Sequence, residues 1–532
     1  MWWQEGVIYQ IYPRSFQDSN GDGIGDLQGL IQRLDYLNDG TPQSLGVDAI
    51  WLSPFFPSPM HDFGYDISDY CAIDPVFGDM DDFDQLLAEA HRRNIRLILD
   101  LVVNHTSDEH PWFRDSCTPG SAKADWYLWH EGKTPPNNWL GAFGGKGWTF
   151  HPQRGAWYYH SFLPQQPDLN WRNPAVRAAV RDIMAFWLDK GVDGFRLDVV
   201  NLYVKDARLR DNPTHWFRIA RPYDRQHHQH DRDQQELHAM LHEMRRFVDR
   251  WPQRMLVGEI MLAPDGDSQL PATYYGDNDE LHLAFNFEFL HCDFSASAFR
   301  DVIARWSRTL GASNWPDYTL SNHDFPRHAS RHRGPQSRER LRLLAMMLLT
   351  LRGTPFLYYG EEIGMPEQPV ARRQMKDPVG LRYWPLHPGR DGCRRPMMWS
   401  QDPDAFSEGN SWLPNDPLAC TNVEDQQSDP DSLLSWYRTL IHTRKAHAAL
   451  HKGELRLLEC GHDVLGYERH EGEETVQVLL NFSMVEQAVT LSGTFPDKDS
   501  SLLLNSQNEA PQRTGNALRL APLQGVVVRA KG

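Results

Sequence analysis

Eight short apolar runs recur through the first 360 residues, mostly with helix-forming segments between them. They are VIYQIYP (7–13), DAIWLSP (48–54), IRLILDLVV (95–103), DGFRLDVV (193–200), MLVGEI (255–260), LAFNF (283–287), YTLSNHD (318–324) and TPFLYYG (354–360). Near-continuous apolar strands that alternate with helices are buried on both faces, as in a parallel sheet wrapped by helices. The helical segments include 79–94, 173–191 and 339–353, the second opening on Asn-Pro, a cap and first-turn pair, and closing on Lys-Gly. Eight such repeats predict an α/β fold of the (β/α)8, or TIM-barrel, class.

In a parallel barrel the C-terminal ends of the strands share one mouth. Segments 95–105, 192–200, 254–260 and 318–324 each bring carboxylates to that end. Gathered acids cost desolvation and mutual repulsion, so a fold tolerates them where chemistry or a metal uses them. The expectation is an enzyme that works with carboxylates, on sugars.

The formal charge of −17 argues against nucleic acid or an anionic membrane as partner. A length of 532 residues predicts two or three domains. Between His105 and the helix near Asn173 lies a Gly-, Trp- and Pro-rich excursion, expected to form an inserted domain (105–172) over the mouth of a barrel made from 1–104 and 173–451. Residues 201–236 form a long polar loop after the fourth strand. From 452 to 532 the runs ELRLLE, VLGYER, VQVLLNFS and GVVVRA predict a C-terminal antiparallel β-sandwich. The N-terminus, MWWQEGVIYQIYPRSF, has no features of a secretory signal, and no run of 18 apolar residues occurs. Six cysteines without paired or metal-binding spacing fit a reducing cytoplasm.

DLVVNH (100–105), GFRLD (194–198), GEI (258–260) and NHD (322–324) resemble the four motif regions of the α-amylase family, glycoside hydrolase family 13. QPDLN (166–170), GVIYQIYPRSFQDSNGDGIGDL (6–27) and GTPFLYYGEEIGM (353–365) match as well, and QPDLN looks like the oligo-1,6-glucosidase and α-glucosidase branch. The resemblance implies a retaining, exo-acting α-glucosidase whose partners are small α-glucosides and glucosyl acceptors, as a monomer or homodimer. It makes Asp198 the nucleophile, kept ionised by Arg196 two residues earlier on the same strand face. Glu259 becomes the acid/base, with a raised pKa in a drier setting. Asp324 becomes the third acid, which holds sugar hydroxyls and favours the distorted ring, while His105 and His323 hydrogen-bond the bound glucose.

The same resemblance extends to the substrate's two ends. Asp62 and Tyr65, in SPMHDFGYDISDY (58–70), match the group at the non-reducing end and the platform under the reacting sugar. RRPMMW (394–399) resembles the RTPMQW motif, whose Arg pairs with that Asp; the match falls on Arg395, with Arg394 as the alternative. Phe143, Phe162 and Phe285 are candidates for the pocket wall or for plain core, and Gln166 for the leaving-group side. Val199, directly after the nucleophile, accompanies α-1,6 substrates in relatives, which leans toward isomaltose-type glucosides and leaves maltose-type and transferring enzymes open.

DSNGDGIGD (18–26) offers Asp18, Asn20, Asp22, the Ile24 carbonyl and Asp26 as hard oxygen ligands at alternating positions, suited to Ca²⁺ or Mg²⁺. Gly29 stands where an EF-hand has Glu, so a metal-free cluster of Asx turns is the alternative; the resemblance implies a structural ion and no organic cofactor. His227, His228 and His230 are expected to be solvated, Glu361 and Glu362 to be structural or rim residues, and RHASRHR (327–333) to be ion-paired within an acidic protein. Rival readings are a trehalose-6-phosphate hydrolase, a sucrose-processing enzyme or a glucosyltransferase on the same scaffold, and a non-catalytic carbohydrate-binding homologue.

Overall fold

A computed structural model describes residues 1–215, 221–262, 268–415, 421–491 and 500–530. Ile8–Ile11, Ala49–Leu52, Arg96–Leu101, Gly194–Leu197, Met255–Gly258, Leu283–Ala284, Asp317–Thr319 and Thr354–Tyr358 form one sheet of parallel neighbours. The first strand pairs with both the second and the last, so the sheet curls round on itself into the expected TIM barrel. Its end strands are the sixth and seventh. In that seam the Asp317 carboxyl lies fully buried near the Asn286 backbone N–H, and burial pushes its pKa well above the usual range.

Every apolar run contains a strand, but two ladders end early. LAFNF contributes only Leu283–Ala284, and the chain of YTLSNHD leaves the sheet after Thr319, so that Asn322, His323 and Asp324 lie beyond the strand end. The helices begin where their caps predict. Asp79 caps Met80–Arg92 by accepting from the N–H groups of Asp81 and Asp82. Asn173 caps Pro174–Lys190, and Gly191 ends that helix at φ 111°, where a side chain would be strained. Each such side-chain cap stabilises by about 1 kcal/mol. Within the barrel, Ile8, Trp51, Ile98, Met255, Val257 and Phe356 pack into a core of their own. Phe285, 1% exposed, belongs to this core rather than to a pocket wall.

Between the third barrel strand and the helix at Pro174, the strands Trp129–His130, Trp148–His151 and Ala156–Tyr159 form a small antiparallel sheet. It is strapped to the barrel through QPDLN: Asp168 accepts from the Ser161 N–H (2.7 Å) and hydroxyl (2.6 Å), and pairs with the buried Lys205. After Glu454 come a five-stranded and a three-stranded antiparallel sheet, with Val464, Leu479, Val489, Leu518 and Val526 buried in one cluster. Among the described residues no helix is long and apolar enough to cross a membrane. The five described cysteines are unpaired, and Cys420 lies outside the described residues.

Two surface expectations are overturned. His228 is buried, with Nδ1 2.7 Å from Asp231 and Nε2 3.1 Å from the Tyr223 carbonyl, because the loop after the fourth strand folds back on itself. The arginines of RHASRHR form no ion pair among the described residues; Arg327 and Arg331 donate instead to backbone carbonyls. Glu361 and Glu362 are structural and buried, Glu362 accepting from the hydroxyls of Tyr9 (2.8 Å) and Tyr36 (2.6 Å).

Candidate active site

Asp198 follows the fourth barrel strand and Glu259 the fifth, and the backbone laces them together. The Glu259 N–H donates to the Leu197 carbonyl (2.9 Å), and the Val200 N–H donates to the Glu259 carbonyl (2.9 Å). The parallel ladder thereby sets the two acids side by side. Val199 lies between these contacts at φ 36°, ψ 49°. A β-branched residue resists that left-handed conformation, at a cost of roughly 1–3 kcal/mol, and such strain gathers at functional sites. The turn it makes ends the strand directly after Asp198.

Arg196 is the hub. Its side chain is 1% exposed, and Nη1 donates to Asp100 Oδ1 and Asp198 Oδ1, 2.7 Å each, while Nη2 donates to Glu259. A planar guanidinium fixes both carboxylates in one geometry, which a lysine could not do. Burial, opposed by Arg196 and reinforced by Asp198 and Asp324, pushes Glu259 up to about 8. Burial also lifts Asp198, against the pull of Arg196, to about 7. The two acids titrate as a pair. Burial therefore favours one proton on the pair, which removes one of two adjacent negative charges.

Around Asp324 the balance is reversed. Asp324 Oδ1 accepts from Arg394 Nη2 (2.9 Å) and Arg390 Nη1 (3.1 Å), and Oδ2 lies 3.2 Å from His323 Nε2. Burial raises its pKa, yet His323, Arg390 and Arg394 together hold it below the usual carboxylate range. The Tyr65 ring lies parallel to His323, 5.4 Å away, and its hydroxyl donates to Asp100 (3.0 Å). His323 Nδ1 is 2.8 Å from Gln10 Nε2, and His105 Nε2 is 3.0 Å from the Tyr65 carbonyl. Burial pushes His105 down to about 4 and His323 to about 3, so both are neutral hydrogen-bonding groups at neutral pH.

Asp62 is clamped from two sides. Arg390 Nη2 donates to its Oδ1 (2.7 Å) and Gln166 Nε2 to its Oδ2 (3.2 Å). Arg390 also donates to Asp377 (2.7 Å) and lies 4.6 Å over the Phe143 ring. The phenylalanines continue from there, Phe143 5.2 Å from Phe162 and Phe162 5.3 Å from His105. Val199 packs with Ala142, Phe162, Leu202 and Tyr223, and Met261 borders that cluster.

Residues 10–453 match the family model of the alpha amylase catalytic domain. The chain belongs to the α-amylase family. It is 44% identical over 506 residues to a probable alpha-glucosidase of Rhizobium meliloti (strain 1021), covering 91% of this chain and 89% of that protein. It is 37% identical over 570 residues to an oligo-1,6-glucosidase of Parageobacillus thermoglucosidasius, covering 100% and 99%. Among solved structures, an alpha-glucosyl transfer enzyme, XgtA, superposes with a TM-score of 0.92 at 40% identity, covering 100% of this chain and 99% of that one.

The barrel mouth of this family member brings Asp198, Glu259, Asp324, Arg196, Asp62, Tyr65, His105 and His323 into one connected network, with Phe143, Phe162 and Val199 along its apolar side. Two assignments change. The cation on Asp62 is Arg390, not Arg395, because the segment before RRPMMW turns its guanidinium into the cleft while Arg394 reaches Asp324. Gln166, fully buried, braces Asp62 and His105 (3.2 Å) rather than the leaving-group side. Sequence reading missed Arg390, Asp377 and Gln10 outright. Asp100 was visible inside DLVVNH, and its register opposite Arg196 is what makes it a partner.

The loop 18–26 is a ladder of Asx turns. Asp18 accepts from the N–H groups of Asn20, Gly21 and Gly23 and from the Ser407 hydroxyl; Asn20 accepts from Asp22, and Asp22 from Ile24. Asp26 accepts from Ser19 and caps the helix Leu27–Gln32 through the Gly29 N–H (2.6 Å). No cluster of three or more His, Cys, Asp or Glu is disposed as metal ligands among the described residues. The oxygen-only donor set, two of whose members are the neutral Asn20 amide and Ile24 carbonyl, is nonetheless one that fits a hard cation.

Proposed function

We propose that this protein is a retaining, exo-acting α-glucosidase that releases α-glucose from the non-reducing end of short α-glucosides. One observation carries the reading: a single buried guanidinium holds Asp198 and Glu259 on one fork, and burial raises the Glu259 pKa as a proton donor requires. Two carboxylates so close suit the short separation, about 5–5.5 Å, that double displacement needs. Asp198 attacks the anomeric carbon as the glycosidic bond breaks, and Glu259 hands its proton to the departing oxygen. The glucosyl–Asp198 ester is then attacked by water, whose proton returns to Glu259, and the second inversion restores the α configuration. A sugar hydroxyl in place of that water gives transglucosylation. Asp324, held ionised, favours the positive charge that develops on the ring in both steps.

We attribute the exo habit to a wall behind the reacting sugar, built from the Arg390–Asp62 pair and Gln166. Val199, against Phe162 and Tyr223, is the contact we assign to aglycone choice, favouring α-1,6 linkages. The loop 18–26 would hold a Ca²⁺ or Mg²⁺ ion through Asp18, Asn20, Asp22, the Ile24 carbonyl and Asp26, stiffening the turn after the first strand. Unpaired cysteines support the cytoplasm as the setting. The test is to follow the anomer of glucose released from isomaltose by NMR, with Asp198→Ala and Glu259→Gln alongside. Prompt release of α-glucose and loss of turnover in both variants are expected; β-glucose as first product, or turnover kept in either variant, contradicts the reading.

A further inference from the structure

The basic stretch 327–333 plays no part in the chemistry above. Beside it opens a cavity of about 270 Å³ lined by His291, Asp293, Arg331, His332, Arg333 and Arg340, with Phe294 on one wall. Three guanidinium groups and two imidazoles thus meet one carboxylate, in a chain whose net charge is −17. The cations are not neutralised from within. Arg333 forms no hydrogen bond or ion pair with any described residue. Arg340 lies flat over the Phe294 ring, 4.3 Å away, and donates only its Nε, to the Pro335 carbonyl (3.2 Å). Arg331 is spent on the carbonyls of Leu290 and Pro326; Glu361 and Glu367 act on it, and Glu367 on Arg333, only at longer range. His332 is 5% exposed, and its Nε2 has no hydrogen-bond partner among the described residues.

Like charges crowded in a concave site repel, and an orphaned buried polar nitrogen costs free energy, so the arginines of this cavity suit an anion. Arginine forks match the oxygens of a tetrahedral oxyanion, and the stacking of Arg340 on Phe294 fixes one of them in advance. We propose that this cavity binds a small phosphate group, free or carried on a sugar ester, at a place distinct from the catalytic cleft. The cavity adjoins the segment that carries Asp324, since the rings of His291 and Phe325 lie 5.2 Å apart.

Inorganic phosphate and glucose 6-phosphate, titrated separately against NaCl of matched ionic strength, provide the test, read by calorimetry and melting temperature. The full-length protein should bind saturably, and Arg333→Gln with Arg340→Gln together should weaken binding by about tenfold or more, the worth of one charge-assisted hydrogen bond. Hydrolysis of a neutral glucoside without phosphate should stay unchanged in that double variant. Arg333→Gln alone changes an exposed side chain and should weaken binding without disturbing the fold. Tighter binding of the ester identifies a sugar phosphate as the ligand, and equal binding identifies the free anion. A melting shift no larger than that of NaCl, or phosphate affinity retained in the double variant, overturns the proposal.

Discussion

Replacing Arg390 by glutamine removes one cation from three carboxylates, but the damage should fall on one of them. Asp324 keeps Arg394 and His323. Asp377 keeps the backbone N–H groups of Gly380 and Arg390. Asp62 is left with the Gln166 amide, at 3.2 Å, and the longer-range charge of Arg394. Removing one partner of a buried ion pair costs about 3–5 kcal/mol. The surviving contacts place this case at the lower end, and about 3 kcal/mol converts to ~10²-fold in kcat/KM. The deficit should depend on pH with a definite sign. Burial already raises the pKa of Asp62, and Arg390 is the largest influence lowering it. Without Arg390 the pKa rises further, so Asp62 is protonated over a wider range and the loss is greatest on the acid side. It should shrink as the pH climbs through the new pKa. The assay is kcat/KM for isomaltose from about pH 5 to about pH 8, where acid–base limbs of such enzymes fall, with melting curves to confirm folding. Arg395→Gln serves as comparison: the side chain is also buried but forms no ion pair with Asp62, so the folded variant should lack the acid-weighted loss. A parent-like Arg390→Gln, or the same acid-weighted loss in a folded Arg395→Gln, would refute the assignment of the clamp.

Other outcomes follow from the same geometry. Glu259→Gln should lower kcat on disaccharides by roughly 10²–10⁴, the usual worth of a general acid, and less on an aryl glucoside whose leaving group needs no proton; equal losses on both would deny the acid role. In the parent, kcat/KM should fall as the pH rises through the Glu259 pKa of about 8, because the free enzyme then lacks its proton donor; a profile flat through that region would contradict the raised value. Val199→Thr should move kcat/KM toward maltose relative to isomaltose, and an unchanged ratio removes the linkage argument. EDTA should lower the melting temperature, with Ca²⁺ restoring it; identical melting in both conditions counts against an ion in the loop 18–26.

The barrel and its acids were legible in the chain because they rest on local rules. A strand buried on both faces must be apolar throughout, so eight such runs between capped helices announce the sheet, and Asp198, Glu259 and Asp324 stand at or just past three strand ends. The caps at Asp79 and Asn173 likewise need only their own neighbours. The tertiary structure decided everything that joins distant segments. The motif resemblance offered Asp62 only Arg395 or Arg394, and the path of the loop across the mouth brings Arg390 to it instead. Phe285 looked equally suited to a cleft and to an interior, and Gln166 to the leaving-group side, until the barrel core took up the one and Asp62 and His105 the other. The basic stretch 327–333 was read as paired, since an acidic chain offers many partners, yet Arg327 and Arg331 donate to backbone carbonyls and meet Glu361, Glu362 and Glu367 only at longer range. Periodicity reports which side of an element is buried, whereas the choice among several charged partners depends on angstrom-scale approach between segments hundreds of residues apart, which no local pattern encodes.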